Sequence, residues 1–321
     1  MSKANARFPL AALTAALLCV ALAACGGGGG GHDSTGTQSP TNNTNVSQAA
    51  SSVFATGLNK PVGIARAEDG SFYVADAGTF TVRKIDAAGG AATLYAGTEG
   101  VQGNGAPADV EPRTAATFSD LRSIAAAGNA VYVVDGTSVR LINDGSVVVV
   151  IPGLQNPKGL AVDAGFNVFV ADAGDGTAGS GTITRGWFDT ESHTAVIATG
   201  LNNPTSLAVD SEGNLFVTEV GANGATTVKK IAGAANLTTA APAADVSGGS
   251  GFTNATGIVA GSASSNLYVI EPQRVTTLTN TGAKTTKSVA AKQLSGVTTA
   301  LTGNDLYVTD ATGNNVLKVT P

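Results

Sequence analysis

A five-residue pattern recurs six times along the chain, and no other feature constrains the fold as much. It reads apolar or aromatic, aromatic, Val, any residue, acid. The copies are Phe72-Tyr73-Val74-Ala75-Asp76, Val131-Tyr132-Val133-Val134-Asp135 and Val168-Phe169-Val170-Ala171-Asp172. They continue as Leu215-Phe216-Val217-Thr218-Glu219, Leu267-Tyr268-Val269-Ile270-Glu271 and Leu306-Tyr307-Val308-Thr309-Asp310. Successive acids stand 59, 37, 47, 52 and 39 residues apart. The run from 51 to 321 holds about 45 residues per copy, within the period of propeller blades.

Each copy has the same surroundings. A strand precedes it, as in Val62-Gly63-Ile64-Ala65 or Thr205-Ser206-Leu207-Ala208-Val209, and a glycine-containing turn such as Glu68-Asp69-Gly70 joins the two. An alternating third strand follows the acid, seen in Val82-Arg83-Lys84-Ile85 and Val228-Lys229-Lys230-Ile231, and most copies add an outer fourth. Helical periodicity is not sustained anywhere beyond the N-terminus. Four strands in each of six units predict an all-β chain, a six-bladed β-propeller of four-stranded antiparallel blades. The sixth copy ends at Pro321 after three strands, while Val53-Phe54-Ala55 stands unpaired before the first. That N-terminal strand is expected to complete the last blade and leave no open sheet edge. Glycine, 42 of 321 residues, follows from the many tight turns.

The pattern Pro-x-Gly-Ile/Leu-Ala…Tyr-Val-Ala-Asp resembles the NHL repeat. Pro61-Val62-Gly63-Ile64-Ala65…Asp76 and Pro157-Lys158-Gly159-Leu160-Ala161…Asp172 carry it best. The segment from Ala96 to Phe118 resembles an insertion of bacterial NHL propellers, and its span from 97 to 120 reads as the one long loop. The resemblance covers residues 51 to 321 and weakens in copies five and six. It implies a ligand face at one end of the ring.

The first residues are an address. Lys3 and Arg7 precede an apolar run from Leu10 to Ala24, too short to span a bilayer comfortably and shaped like a secretory signal. It ends Leu22-Ala23-Ala24-Cys25 and then Gly26 to Gly31. This resembles the lipobox of bacterial lipoproteins, in which the cysteine is acylated and becomes the first residue after cleavage. The other reading is an ordinary secretory signal with a chance cysteine. The resemblance implies residues 1–24 as signal peptide, Cys25 as the lipidated residue, and attachment to the cell envelope by acyl chains. Gly26 stands where an inner-membrane lipoprotein carries aspartate, which favours the outer membrane. Residues 25–50 are rich in Gly, Ser, Thr and Asn and read as a flexible tether.

Chemistry is thin. Charged residues make up 13% of the chain, about half the usual ~25%. The net charge of −5 argues against a nucleic-acid partner. With Cys19 in the signal and Cys25 at the anchor, residues 51–321 hold no thiol, and their only histidine is His193, in a polar turn of the third copy. The recurring acids Asp76, Asp135, Asp172, Glu219, Glu271 and Asp310 have two readings. Some could be metal ligands, for calcium above all, since hard cations take several oxygens. Alternatively each caps the turn that follows through its backbone amides. Recurrence in all six copies favours the structural role, so no cofactor is expected. Gly174-x-Gly176-x-x-Gly179 leads into a strand rather than a helix and is a loop. Trp187-Phe188 offers a surface to stack a sugar or is buried between blades. The function expected is a lipid-anchored module that binds a protein, peptide or glycan on one face, without catalytic residues. The alternative is a divalent-metal-dependent hydrolase or lyase of the gluconolactonase or streptogramin-lyase type.

Overall fold

The computed structural model describes residues 46–103, 110–188, 191–261, 266–300 and 302–321. The expected signal peptide and Cys25 lie outside these. The described strands form six sheets, and each begins with a repeat's first strand at the centre of the ring. Blade 1 runs Pro61–Arg66, Phe72–Asp76, Thr81–Ile85, Thr93–Ala96 from the axis outward. Blade 3 repeats it with Pro157–Val162, Val168–Asp172, Gly181–Phe188 and Ser192–Leu201. The innermost strands touch one another in cyclic order, and the strand from Leu294 to Thr299 meets that from Pro61 to Arg66 to close the circle.

The recurring pentapeptide is the second strand of every blade. In blades 1 to 5 all five residues are buried, acid included. A strand sandwiched between two neighbouring sheets must be apolar on both faces, which is why the signature is continuous rather than alternating. The buried side chains divide into six hydrophobic clusters, one at each interface between blades. Tyr73, Ala75 and Val82 of blade 1 thus pack on Leu121, Ile124 and Val133 of blade 2.

The ring closes as the strand count requires. Ala50–Thr56 pairs antiparallel with Asn315–Thr320, Val53 opposite Leu317, and becomes the fourth strand of blade 6, with Gly90–Ala91 parallel beyond it. Phe54 then sets its ring 5.1 Å from Phe72 and 4.6 Å from Tyr307, joining the last blade to the first. Pairing begins earlier than the composition suggests. Ala49 is buried and donates its amide to the Ser288 carbonyl, and Ser288 donates to that of Ser47. Residues 47–50, read as tether, are thus held against blades 5 and 6.

Two further differences concern connections. Within the 97–120 segment, Val110–Pro112 is a strand that pairs with Ser146–Ile151 and adds a fifth member to blade 2. In blade 4 the outer position is broken into Ala244–Asp245 and Phe252–Thr253, both against Ala225–Ile231.

The x-Gly-Ile element of the innermost strand has a packing cause. A β-carbon added at Gly296 would stand 2.6 Å from the Cα of Gly63, and one at Gly159 would stand 2.9 Å from that of Ser206. Neighbouring inner strands approach so closely that only hydrogen or a small side chain fits. Gly63, Gly159, Gly257 and Gly296, with Ser123 and Ser206, accordingly occupy this level of the channel.

Candidate functional site

The residue preceding each of these small positions lines the mouth of the central channel, and a β-bulge puts it there. Pairing skips one residue between Pro61 and Gly63, Leu121 and Ser123, Pro157 and Gly159, Pro204 and Ser206, and Leu294 and Gly296. The residue passed over is Val62, Arg122, Lys158, Thr205 or Ser295. A bulge leaves its extra residue out of the ladder and re-aims its side chain. Proline at the first strand position suits this arrangement, because no ladder donor is needed there. The mouth therefore carries one bulged side chain from each of five blades, and blade 5 contributes Thr256.

Four of these side chains stitch one blade to the next. Arg122 donates to the Asn156 Oδ1 at 2.8 Å and the Pro157 carbonyl at 3.1 Å. Lys158 donates to Asn203 Oδ1 at 2.5 Å, Thr256 to the Leu294 carbonyl at 3.0 Å, and Ser295 to the Pro61 carbonyl at 2.7 Å. The last bond crosses the seam of the ring. The space at the mouth has a volume of about 90 Å³, and no carboxylate or imidazole lines it.

The recurring acids sit at this same end, in five blades opposite the first residue of the inner strand; in blade 5 Gly257 faces Ile270, one residue before Glu271. Their carboxylates turn back to the segment that leads into that strand. Asp76 Oδ1 accepts the Asn59 amide at 2.6 Å, Asp135 those of Ser119 and Asp120 at 2.8 Å, and Asp172 those of Gln155 and Asn156 at 2.8 Å. Glu219 accepts Asn202 at 2.7 Å, Glu271 accepts Thr253 at 2.8 Å, and Asp310 accepts Lys292 and Gln293 at 2.8 and 2.9 Å. The turn that follows is capped too in some blades, by Gly174 on Asp172 and Gly313 on Asp310. The sequence pattern predicts the second contact in every copy; the first, which spans 15 to 18 residues, has no local signal. Five of the acids serve their own blade, whereas Glu271 reaches Thr253 at the outer position of blade 4; among the described residues no group of three or more His, Cys, Asp or Glu could hold a metal ion.

Burial acts differently on these acids. It pushes the Asp76 carboxyl above its ordinary range, against hydrogen bonds from Thr79, Asn59 and Arg83. Burial also opposes ionisation of Asp310, but the amides of Lys292, Gly313, Gln293 and Thr312 outweigh it and hold that carboxyl below the usual range. Among the mouth cations, burial and then the charge of Arg122 lower Lys158.

The remaining sequence candidates lie elsewhere. His193 is on the outer strand of blade 3 rather than in a turn, opposite Trp187 and stacked on it at 5.1 Å, with Arg185 on that indole at 4.4 Å. Phe188 packs into the interface of blades 2 and 3. Asp175 in the glycine loop accepts the amide and hydroxyl of Thr177. A second cleft, about 880 Å³, opens beside the hairpin turns where blade 4 lacks a full outer strand, between Phe216, Val246, Leu267 and Leu278.

No protein-family model and no curated protein sequence matches this chain. Solved structures do. A gluconolactonase from Xanthomonas campestris superposes with a TM-score of 0.64 at 12% identity, covering 84% of this chain and 89% of its own. An auxiliary nutrient-binding protein from Bacteroides thetaiotaomicron gives 0.61 at 12%, covering 87% and 78%. A nidogen/laminin complex gives 0.55 at 16%, covering 71% and 80%. At these identities the likeness is one of fold, and the fold is a six-bladed β-propeller.

Proposed function

We propose that this chain is a lipid-anchored cell-envelope propeller that binds a protein, peptide or glycan partner at the channel-mouth face. The carrying observation is the chemistry of that mouth. It presents Arg122, Lys158 and hydroxyls, with no carboxylate or imidazole among its lining residues. A hydrolase of the gluconolactonase type needs oxygen ligands converging on one metal ion. Here the carboxylates are buried in six separate blades and engaged with backbone amides. The fold itself serves recognition elsewhere, since one similar structure is a nidogen/laminin complex and another a nutrient-binding protein.

The anchor belongs to the same proposal. Cys25 would hold the lipid, and the roughly 20 residues between it and the first paired residues would reach about 25 Å as a random coil. That distance lifts the ring clear of headgroups while the outer membrane keeps it near its partner.

The test places a photo-crosslinking residue at Lys60 or Lys292, on the channel-mouth face, and at Glu212 or Thr281, on the hairpin turns of the other end, in the intact chain. A discrete adduct from the first pair alone supports the reading. Equal labelling from both ends, or none from either, overturns it. Calcium and EGTA are added to the purified chain in parallel. A calcium-dependent rise in melting temperature that Asp172→Asn abolishes would favour the metal-dependent enzyme instead. For the anchor, Cys25→Ser is expected to leave the precursor unprocessed and lipid-free, and unchanged processing would sink the lipobox assignment.

A further inference from the structure

The two cations at the channel mouth are not equivalent. Arg122 is neutralised and fixed: Asp120 Oδ2 accepts its Nε at 2.8 Å and its Nη2 at 2.7 Å, while Asn156 and Pro157 take Nη1. Lys158 comes from the adjacent blade, extruded by the equivalent bulge, and its hydrogen-bond partner is the neutral amide oxygen of Asn203. No carboxylate ion-pairs with it among the described residues. An ammonium carries three N–H donors, and Asn203 takes one of them. A half-buried cation with no ion-pair partner among the described residues, beside a second cation at the channel mouth, is an electrostatic deficit that an anion would relieve.

We infer that Lys158 and Arg122 together form a receptor for a single carboxylate at the channel mouth. The inference deepens the interaction reading above and rests on it. The space at the mouth, about 90 Å³, admits a carboxylate group. A carboxylate would accept charge-assisted bonds from the free Lys158 donors, and the Arg122 guanidinium, oriented by Asp120, would form the neighbouring wall. The opposite wall, from Thr256 to Ser295, has hydroxyls already committed to carbonyls, so it shapes the site and leaves charge recognition to blades 2 and 3. Rigidity follows from the stitches: both cations are tied to the next blade, so the receptor exists before its ligand arrives.

Two sources could supply the carboxylate, an acidic residue of a partner protein or a small organic acid. Acetate is the first probe, titrated into the intact chain at constant ionic strength against chloride, with melting temperature and calorimetric heat as readouts. The expected result is saturable stabilisation by acetate beyond chloride. Lys158→Gln, which keeps a donor for Asn203, should weaken it by about tenfold or more, the loss of one charge-assisted bond. Lys158→Arg should restore much of it, which separates loss of charge from loss of fold. Equal effects of acetate and chloride, or undiminished acetate binding by Lys158→Gln, overturn the inference. A Gly-Glu-Gly peptide that binds tighter than acetate supports a protein source; succinate binding tighter than the peptide supports an organic acid. If acetate fails while face-specific crosslinks persist, the carboxylate receptor falls and the interaction module stands. If acetate binds without any crosslink, the reverse holds.

Discussion

Blades 1, 2 and 4 secure the recurring acid differently from blades 3, 5 and 6. In the first group the residue opposite the signature's central valine is a cation, Arg83, Arg140 or Lys229. That cation reaches the strand-end acid on one side and a second acid on the other. The resulting ladders are Asp76–Arg83–Glu99, Asp135–Arg140–Glu111 and Glu219–Lys229–Asp245. In the second group the same position holds Thr184, Thr276 or Leu317. Where an Asp lacks the cation, backbone amides replace it. Asp172 and Asp310 each accept three, from the lead-in segment and the following turn. The lesson is that one recurring arrangement, an acid at the end of the second strand, tolerates two sources of compensation, a cation or backbone N–H donors.

The largest break of this symmetry comes from Arg140. Its side chain is 0% exposed, lies over the Phe118 ring at 4.8 Å, and also donates to the Thr117 carbonyl. Arg140→Met leaves Asp135 and Glu111 without their shared cation, and removal of one partner from a buried pair costs about 3–5 kcal/mol. Denaturant unfolding measures it. A cost below about 1 kcal/mol would mean that the amides of Ser119 and Asp120 suffice for Asp135, as amides do in blade 3.

How far this was legible in the sequence depends on range. The second strands were legible because burial on both faces writes a continuous apolar run, and closure by the N-terminal strand followed from a missing fourth strand. Arg83 and Lys229 were visible as third-strand residues, yet their outer partners Glu99 and Asp245 lie in connections with no periodic pattern. Residues 47–50 read as tether because Ser, Gln and Ala carry no strand signal; their order comes from blades 5 and 6. His193 was read as a turn residue because its neighbours are polar, but the blade-3 hairpin extends past it, from Gly181–Phe188 to Ser192–Leu201. The bulges were hidden entirely, since Pro-x-Gly does not reveal a register shift. The carboxylate receptor was hidden with them, because Arg122 and Lys158 are 36 residues apart and meet only through equivalent bulges.

The two modes of compensation should respond oppositely to pH. Asp310, held low by amides, binds fewer protons folded than unfolded, so its stabilisation is present above the ordinary aspartate range and lost as pH falls through its lowered pKa. Asp76, pushed up by burial, binds more protons folded than unfolded, so its contribution declines as pH rises through its raised pKa. Asp310→Asn is expected to cost about 1–3 kcal/mol near neutrality, by stranding amide donors. Between about pH 3 and 6 that cost should grow, while the cost of Asp76→Asn should shrink. Parallel pH profiles for the two variants would show that amides and arginine compensate the acid alike.

The smallest effect belongs to Lys229 and grades the ladders among themselves. Its ammonium stands 3.7 Å from Glu219 Oε2 and 2.9 Å from Asp245 Oδ1, whose side chain is 83% exposed. Water reaches this ladder as it does not reach that of Arg140. A pair so placed contributes about 0–1 kcal/mol and is screened by salt. Lys229→Met should therefore lower stability by less than about 1 kcal/mol at low ionic strength, and by almost nothing near ~1 M salt. The Arg140→Met cost, measured in the same buffers, should barely move. Equal costs or equal salt dependence would show that burial does not separate the two ladders. Unequal ones would make blade 4, with its broken outer strand, the intermediate between charge-laddered and amide-capped blades.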